Sequence, residues 1–330
     1  MRALLSRAPG PAGALELADV PEPEPAPGEV RLAVRACAIN YPDALIIEDR
    51  YQVRPQRPFA PGAEVAGVVD AVGQGVTTLV IGQRVIAMPG FGGLAGKLVA
   101  AAGRCVPIPA AAPFDEAAAL LMAFGTALYG LTSRGGLRSG ERLLVLGAAG
   151  GVGSAAVQVG KALGAEVIAA ASSEAKAAIA KEAGADRTLV YPRGPFDREQ
   201  KRTLSALFKG ACPGGLDLVF DPVGGDYAEA ALRALRPDGR LLVVGFTAGI
   251  PQLPLNLVLL KSCEVIGVAW GAVARDQPRL FAEVAAELVR LHAEGVIRPR
   301  IAERLTLEQA PAAIARLAAR EAIGKAVVVF

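Results

Sequence analysis

The sequence predicts an α/β protein of two domains: an irregular, mostly antiparallel β domain, and a doubly wound parallel sheet set into it. Three observations carry that expectation. The chain has 330 residues, enough for two cores of ordinary size. Short β-rich runs punctuated by Pro and Gly fill the first part. From Asp115 onward strands and helices alternate, and the strands are near-continuous apolar runs, as in a parallel sheet covered on both faces.

In order, EVRLAVRACAI, EVAGVVDAVGQGV and QRVIAMPG read as strands of the first domain. A long Ala-rich helix then leads to RLLVLGA, followed by the strands AEVIAAA, RTLVY, LDLVFD, GRLLVVGF and CEVIGVAW, with helical stretches between them. Helical periodicity returns in PRLFAEVAAELVRLHAEG. A short strand, a helix over LEQAPAAIARLAARE and the strand KAVVVF complete the sequence. That tail is too small for a domain and is expected to pack on the N-terminal part. The domains are then 1–122 with 268–330, and 123–267, with a cleft between the two lobes where a ligand would sit.

Composition narrows the function. With 52% hydrophobic and 20% charged residues the chain is far from the disordered class. Its net charge of +3 contains no long run of one sign, which argues against a nucleic-acid groove or a membrane-binding face. Cys37, Cys105, Cys212 and Cys263 are widely scattered, which suits a reduced cytoplasmic protein better than a disulfide frame or a metal clip. The first residues lack an apolar core of signal-peptide length. Neither uncharged tract, 117–133 or 241–260, reads as a membrane span: glycines and a threonine interrupt the first, and Pro251, Pro254 and Asn256 break the second. A small-molecule partner is expected.

The chemistry begins at LGAAGGVG. Gly150, Gly151, Val152 and Gly153 lie between a buried strand and a helix, where a βα turn lets backbone amides approach a pyrophosphate. In the GxGxxG frame the first position is Ala148, followed by Gly150 and Gly153, and the pattern opens a repeated βα series. At the end of the second strand, where an NAD-binding chain places Asp or Glu on the ribose hydroxyls, this sequence has Ser172 and Ser173, with Lys176 a turn later. No carboxylate is there to repel a 2′-phosphate, and two hydroxyls and an ammonium can bind one, so NADPH is the expected cofactor. A serine that simply caps the helix is the other reading of the same residues.

The order of elements, together with AAGGVG, FDPVGGD and the closing GKAVVV, resembles the medium-chain dehydrogenase/reductase superfamily over essentially the whole chain. Within it the sequence is similar to the zinc-independent quinone oxidoreductase branch that includes zeta-crystallin. The resemblance implies a GroES-like β-barrel catalytic domain, a Rossmann-like cofactor domain, NADPH as reductant, and a homodimer joined through edge strands of the cofactor domain. Zinc-dependent members carry a cysteine at the position of Asn40 and a histidine at that of Ala63. With His292 the one histidine in the chain, no catalytic set of Cys and His ligands can be assembled. His292 itself reads as an ordinary helix residue. The resemblance further implies that Asn40 and Thr126 face the nicotinamide, that Tyr191 and Arg320 join Lys176 around the 2′-phosphate, and that Gly245, Phe246, Thr247, Trp270 and Gly271 line the nicotinamide end. Trp270 fits core or interface packing equally well.

Without a metal to polarise a carbonyl, electron-poor acceptors fit best: a quinone, or an alkene conjugated to a carbonyl. Tyr51, in IIEDRYQVRP, is the candidate polar group at the acceptor, through proton donation or a hydrogen bond to a quinone oxygen. A tyrosine that only walls the pocket is the alternative. The expected activity is therefore NADPH-dependent quinone reduction, with enoyl or 2-alkenal reduction as second reading and a non-catalytic NADPH-binding protein as third.

Overall fold

The period-two runs of the first part form strands in the computed structural model, which describes residues 1–330. They are β1 (Arg2–Leu5), β2 (Glu16–Asp19), β3 (Glu29–Ala38), then helix α1 (Tyr41–Ile46), β4 (Glu64–Val72), β5 (Arg84–Ala87), β6 (Lys97–Ala101), β7 (Cys105–Pro107) and the short helix α2 (Phe114–Ala117). Strand β3 organises this part. Val30, Leu32 and Val34 alternate into the core, and the strand pairs antiparallel with both β4 and β6.

The alternating stretch gives α3 (Ala123–Tyr129), β8 (Arg142–Val145), α4 (Gly151–Ala162), β9 (Glu166–Ala171), α5 (Glu174–Glu182), β10 (Arg187–Val190) and α6 (Arg198–Ala211). It continues with β11 (Leu216–Asp221), α7 (Gly225–Ala234), β12 (Leu235–Val243), α8 (Leu255–Lys261) and β13 (Glu264–Gly267). The remainder forms α9 (Trp270–Asp276), α10 (Pro278–Ala293), β14 (Ile301–Leu305), α11 (Ala310–Ala318) and β15 (Lys325–Val329).

One expectation is corrected here. The Ala-rich tract from Asp115 is not one long helix but α2 and α3 separated by a turn. At the break the Met122 amide donates to Glu64 Oε2 at 2.7 Å, a partner that a helix running through would deny it.

Two units result, Met1–Met122 with Gly271–Phe330, and Ala123–Trp270. In the first, the sheet order is β14-β15-β3-β4-β5-β7, with β6 also on β3. Strand β15 pairs antiparallel with β3, so segments from both sides of the second unit share one sheet. In the second, six parallel strands run β10-β9-β8-β11-β12-β13. The chain builds outward from β8 to β10, then returns to the other side of β8 with β11. Doubly wound sheets bind ligands at the carboxyl ends of their strands beside such a reversal.

Candidate active site

At the carboxyl end of β8 the backbone turns through Gly147, whose φ of 59° suits glycine. Gly150 is the N-cap of α4 and offers no side chain to its first-turn amides. A Cβ on Gly150 would meet only Gly147 O, at 3.4 Å, so the space before the helix is open. A Cβ on Gly153 would stand 2.2 Å from that oxygen, so glycine there lets the helix start lie directly against the strand end. The turn thus combines an open approach with a helix N-terminus, the arrangement that accepts a pyrophosphate.

Strand β9 ends at Ala171, and Ser172 and Ser173 follow where an acid would contact the ribose, Glu174 coming only as the first residue of α5. Ser173 is the N-cap of α5, its hydroxyl accepting from the Lys176 amide at 3.3 Å. The capping reading of this serine is thus realised, and Ser172 and the Lys176 ammonium stand beside it at the strand end. Burial, and then the Arg193 guanidinium nearby, push the Lys176 ammonium below the usual lysine range. Arg193 is absent from the sequence reading. Its signal was its place two residues beyond Tyr191, after β10, the neighbour of β9.

Tyr191 is buried rather than lining an open surface. Its ring packs on Tyr227 at 4.9 Å and edge-on to Phe208 at 6.2 Å. Burial, then the Tyr227 hydroxyl, raise its phenol well above the ordinary range, while a hydrogen bond from the Gly147 backbone opposes them. The phenol therefore braces the glycine turn from behind.

Two further loops meet at this edge. After β11, Asp221 Oδ1 accepts from the Val223 and Gly224 amides, both at 2.8 Å, and burial pushes this carboxyl up to about 6. After β12, Gly245 lies close against Pro222, Phe246 is exposed, and Thr247 Oγ1 donates to Pro222 O at 3.4 Å. Thr126 is buried in α3. Trp270 is 2% exposed, so that a Cβ on Gly125 would fall 2.5 Å from its Nε1, and it packs on Tyr129. Trp270 therefore packs in the interior of its unit, against Gly125 and Tyr129.

In the other unit a buried polar network surrounds Asn40. Its Nδ2 donates to Ala38 O (3.1 Å) and Glu64 Oε1 (2.9 Å), while Oδ1 accepts from Lys325 Nζ at 2.6 Å. Lys325 also donates to Glu64 Oε1 at 2.9 Å and Ile39 O at 3.3 Å. Asp43 accepts from the Asn40 amide (2.7 Å) and the Gly62 amide (2.9 Å), and burial pushes its carboxyl up to about 6. Both amide protons of Asn40 are thus committed, and its Oδ1 is held by Lys325 at the start of α1, where the Asn40 side chain and Asp43 form a capping box. Tyr51 is half-buried, and its hydroxyl is 3.8 Å from where a Cβ on Gly271 would stand. Burial and then Asp43 raise this phenol above its ordinary range, and Arg275 opposes them. Arg320 follows α11 on an exposed turn of this unit, with φ 60°.

This donor set does not fit a zinc ion. Asn40 is bonded to an ammonium, Ala63 brings a methyl group, and Glu64 is paired with Lys325. Burial drives the Cys37 thiol far above the range in which it ionises, and no group of three or more His, Cys, Asp or Glu side chains converges anywhere. His292 instead contacts Glu116 at 3.0 Å, beside Arg298, fastening α10 to α2.

An irregular barrel unit and a doubly wound unit with a glycine turn define a two-domain, dinucleotide-dependent oxidoreductase. Residues 26–110 match the alcohol dehydrogenase GroES-like domain, and residues 151–289 the zinc-binding dehydrogenase model, a segment that includes neither Asn40 nor Ala63. The chain is 38% identical over 301 residues to quinone oxidoreductase-like protein 2 of Bos taurus, covering 91% of this chain and 84% of that one. It is 36% identical to a quinone oxidoreductase of Pseudomonas aeruginosa, covering 95% and 94%. Among solved structures, the quinone oxidoreductase of Thermus thermophilus, studied also in complex with NADPH, superposes with a TM-score of 0.84 at 33% identity over 100% of both chains. The chain belongs to the medium-chain dehydrogenase/reductase superfamily, alongside its quinone oxidoreductases.

Proposed function

We propose that the protein is an NADPH-dependent quinone oxidoreductase that works without zinc. The observation that carries the reading is the strand end after β9, where Ser172 and Ser173 stand in place of an acid, with Lys176 a turn later and Arg193 close enough to act on its charge. In this reading Gly150, Gly151, Val152 and Gly153 seat the pyrophosphate, and Ser172, Lys176 and Arg193 hold the 2′-phosphate, with Arg320 as a further cation. Gly245, Phe246 and Thr247 border the nicotinamide end, with Asn40 and Thr126 as its polar neighbours. The NADPH complex of the Thermus thermophilus relative supports the choice of cofactor.

The bound cofactor supplies a hydride. A quinone that accepts it and gains a proton becomes the hydroquinone, with electrons and charge in balance. The chain's own share is orientation, exclusion of water and a hydrogen bond to the acceptor oxygen from Tyr51. A second reading, reduction of a conjugated alkene, is favoured by the same phenol: half-buried, opposite Gly271, and near the Arg275 guanidinium, it is suited to giving a proton to the α-carbon of the enolate that hydride addition leaves.

We also propose a homodimer. Strand β13 is the edge of its sheet, and beside it Ile250, Leu255, Leu259 and Leu260 are strongly exposed, an apolar surface that a second copy would cover. No helix is long and apolar enough to cross a membrane, and the four free, buried cysteines support a reducing, cytoplasmic setting.

The test is oxidation of NADPH and of NADH, with chelator present, on a naphthoquinone and a 2-alkenal in parallel. NADPH-preferring turnover that is faster on the quinone is expected. In Lys176→Ala with Arg193→Ala, the Kd for NADPH should rise about 10- to 100-fold, the scale of one or two charge-assisted contacts, and that for NADH should change less than about twofold. Equal loss of both cofactors refutes the phosphate site, and faster turnover of the alkenal selects the second reading.

A further inference from the structure

Four polar side chains converge in the apolar interior of the barrel unit: Asn40, Asp43, Glu64 and Lys325, with Glu64 1% and Lys325 5% exposed. They come from the end of β3, from α1, and from the first residues of β4 and β15. A buried ion pair does not by itself stabilise a fold relative to well-packed apolar residues of the same volume. The use of this pair is better read from where its bonds go.

They go to one short segment. Lys325 spends its three protons on Ile39 O, Asn40 Oδ1 and Glu64 Oε1. Glu64 Oε1 accepts from Asn40 Nδ2 as well, and Ala38 O takes the other proton of that group. Asp43 closes the ring by accepting from the Asn40 backbone. Rotating the Asn40 carboxamide breaks bonds at both its ends, so the group is held in one orientation. The second Glu64 oxygen accepts from the Met122 amide, which tethers the same carboxylate to the turn after α2.

We propose that Lys325 and Glu64 are positioning residues for acceptor reduction: their buried ion pair fixes the Asn40 carboxamide and the backbone of residues 38–43, on which the geometry of hydride transfer depends. This rests on the functional reading above. It adds two residues that neither touch the cofactor nor hold a metal, and whose removal should lower turnover while sparing NADPH affinity. The glycine turn and the Ser172, Lys176 and Arg193 cluster, which carry that affinity in the functional reading, belong to the other unit.

The variants are Lys325→Met, Glu64→Gln and the double substitution, each in the full chain. A single change strands a buried charge and risks misfolding. The double change removes both members of the pair; the carboxamide oxygen in place of Glu64 Oε1 can still accept from Asn40 Nδ2, while the bond to Asn40 Oδ1 is lost with Lys325. Three quantities are measured: kcat and KM on a naphthoquinone, NADPH Kd by fluorescence, and amide hydrogen exchange over residues 38–43. In the folded double variant kcat should fall at least about tenfold, with NADPH Kd within about threefold, and exchange over 38–43 should speed up while the six-stranded sheet is unchanged. A folded double variant with wild-type kcat overturns the proposal, as does unchanged exchange over 38–43. If the wild type reduces neither quinone nor alkenal, the functional reading fails on its own, and the exchange data still decide whether the ion pair holds Asn40.

Discussion

Alanine at Gly150 and at Gly153 should produce different faults although the two residues are neighbours in one turn. On Gly153 the new Cβ would lie 2.2 Å from Gly147 O, 2.8 Å from Gly147 C and 2.9 Å from Ala148 Cα, all backbone atoms that no rotamer change can move. The helix start must shift by about 1 Å, an overpacking cost of about 1–3 kcal/mol, or roughly 3–9 °C of melting temperature for a domain of this size. On Gly150 the Cβ meets only Gly147 O at 3.4 Å, and φ is an ordinary −76°. There the loss of a good N-cap, roughly 0.5 kcal/mol, is offset by about the same gain from a stiffer unfolded chain. The methyl group nevertheless enters the space reserved for the pyrophosphate, and about tenfold weaker NADPH binding corresponds to ~1.4 kcal/mol. The assay pairs thermal melting of the cofactor-free protein with fluorescence titration of NADPH. Gly150→Ala should melt within about 2 °C of wild type yet bind at least about tenfold more weakly, whereas Gly153→Ala should lose both stability and affinity. Unchanged affinity in a normally melting Gly150→Ala protein would place the pyrophosphate elsewhere and remove the basis of the cofactor assignment.

Other consequences are open to simple measurement. Tyr51→Phe should slow 2-alkenal turnover about 100-fold and quinone turnover no more than about tenfold, since the enolate carbon left by hydride addition needs a positioned proton donor whereas the quinone oxygen loses one hydrogen bond; unchanged turnover on both acceptors would show that the phenol is merely part of a wall. Leu255→Glu with Leu259→Glu should convert a dimer to a monomer in sedimentation velocity, and a monomeric wild type at micromolar concentration would refute the edge-strand interface. Asp221→Asn tests the buried carboxyl after β11. Its folded pKa, about 6, lies above the unfolded value, so its contribution to stability is complete below the unfolded pKa and is lost as pH rises through 6. The carboxamide of that variant would keep an acceptor for Val223 and Gly224 without that loss. The variant should therefore gain on wild type between about pH 4 and pH 7 in a melting series, and a difference independent of pH would argue against the burial effect.

The glycine turn and the strand-end serines were legible because their meaning is local: a strand, a tight turn and a helix start occupy consecutive residues. Arg193 was not, because its approach to Lys176 depends on β10 lying beside β9, a matter of strand order. The Glu64–Lys325 pair was hidden more deeply. Its members are 261 positions apart, and a lysine opening the strand KAVVV looks like any solvated strand terminus. Asn40, Ala63 and GKAVVV stand out in the sequence as separate features, without the bonds that join their neighbourhoods. Trp270 shows another limit: an aromatic after an apolar strand suits a pocket wall and a core equally well in sequence, and its seat on the bare face of Gly125 is set by tertiary packing. The Ala-rich tract misled because composition favours helix throughout it, while a buried carboxylate far away in sequence draws off the Met122 amide.

The pairing of β15 with β3 sets an order of events during synthesis. All six strands of the parallel sheet leave the ribosome before β15 does, so that sheet can close while the barrel still lacks the strand that seals it. A nascent chain thus acquires its dinucleotide-binding turn first, and completes its acceptor side only when Lys325 arrives to meet a partner made much earlier. Until then Glu64 is a carboxylate waiting for its cation.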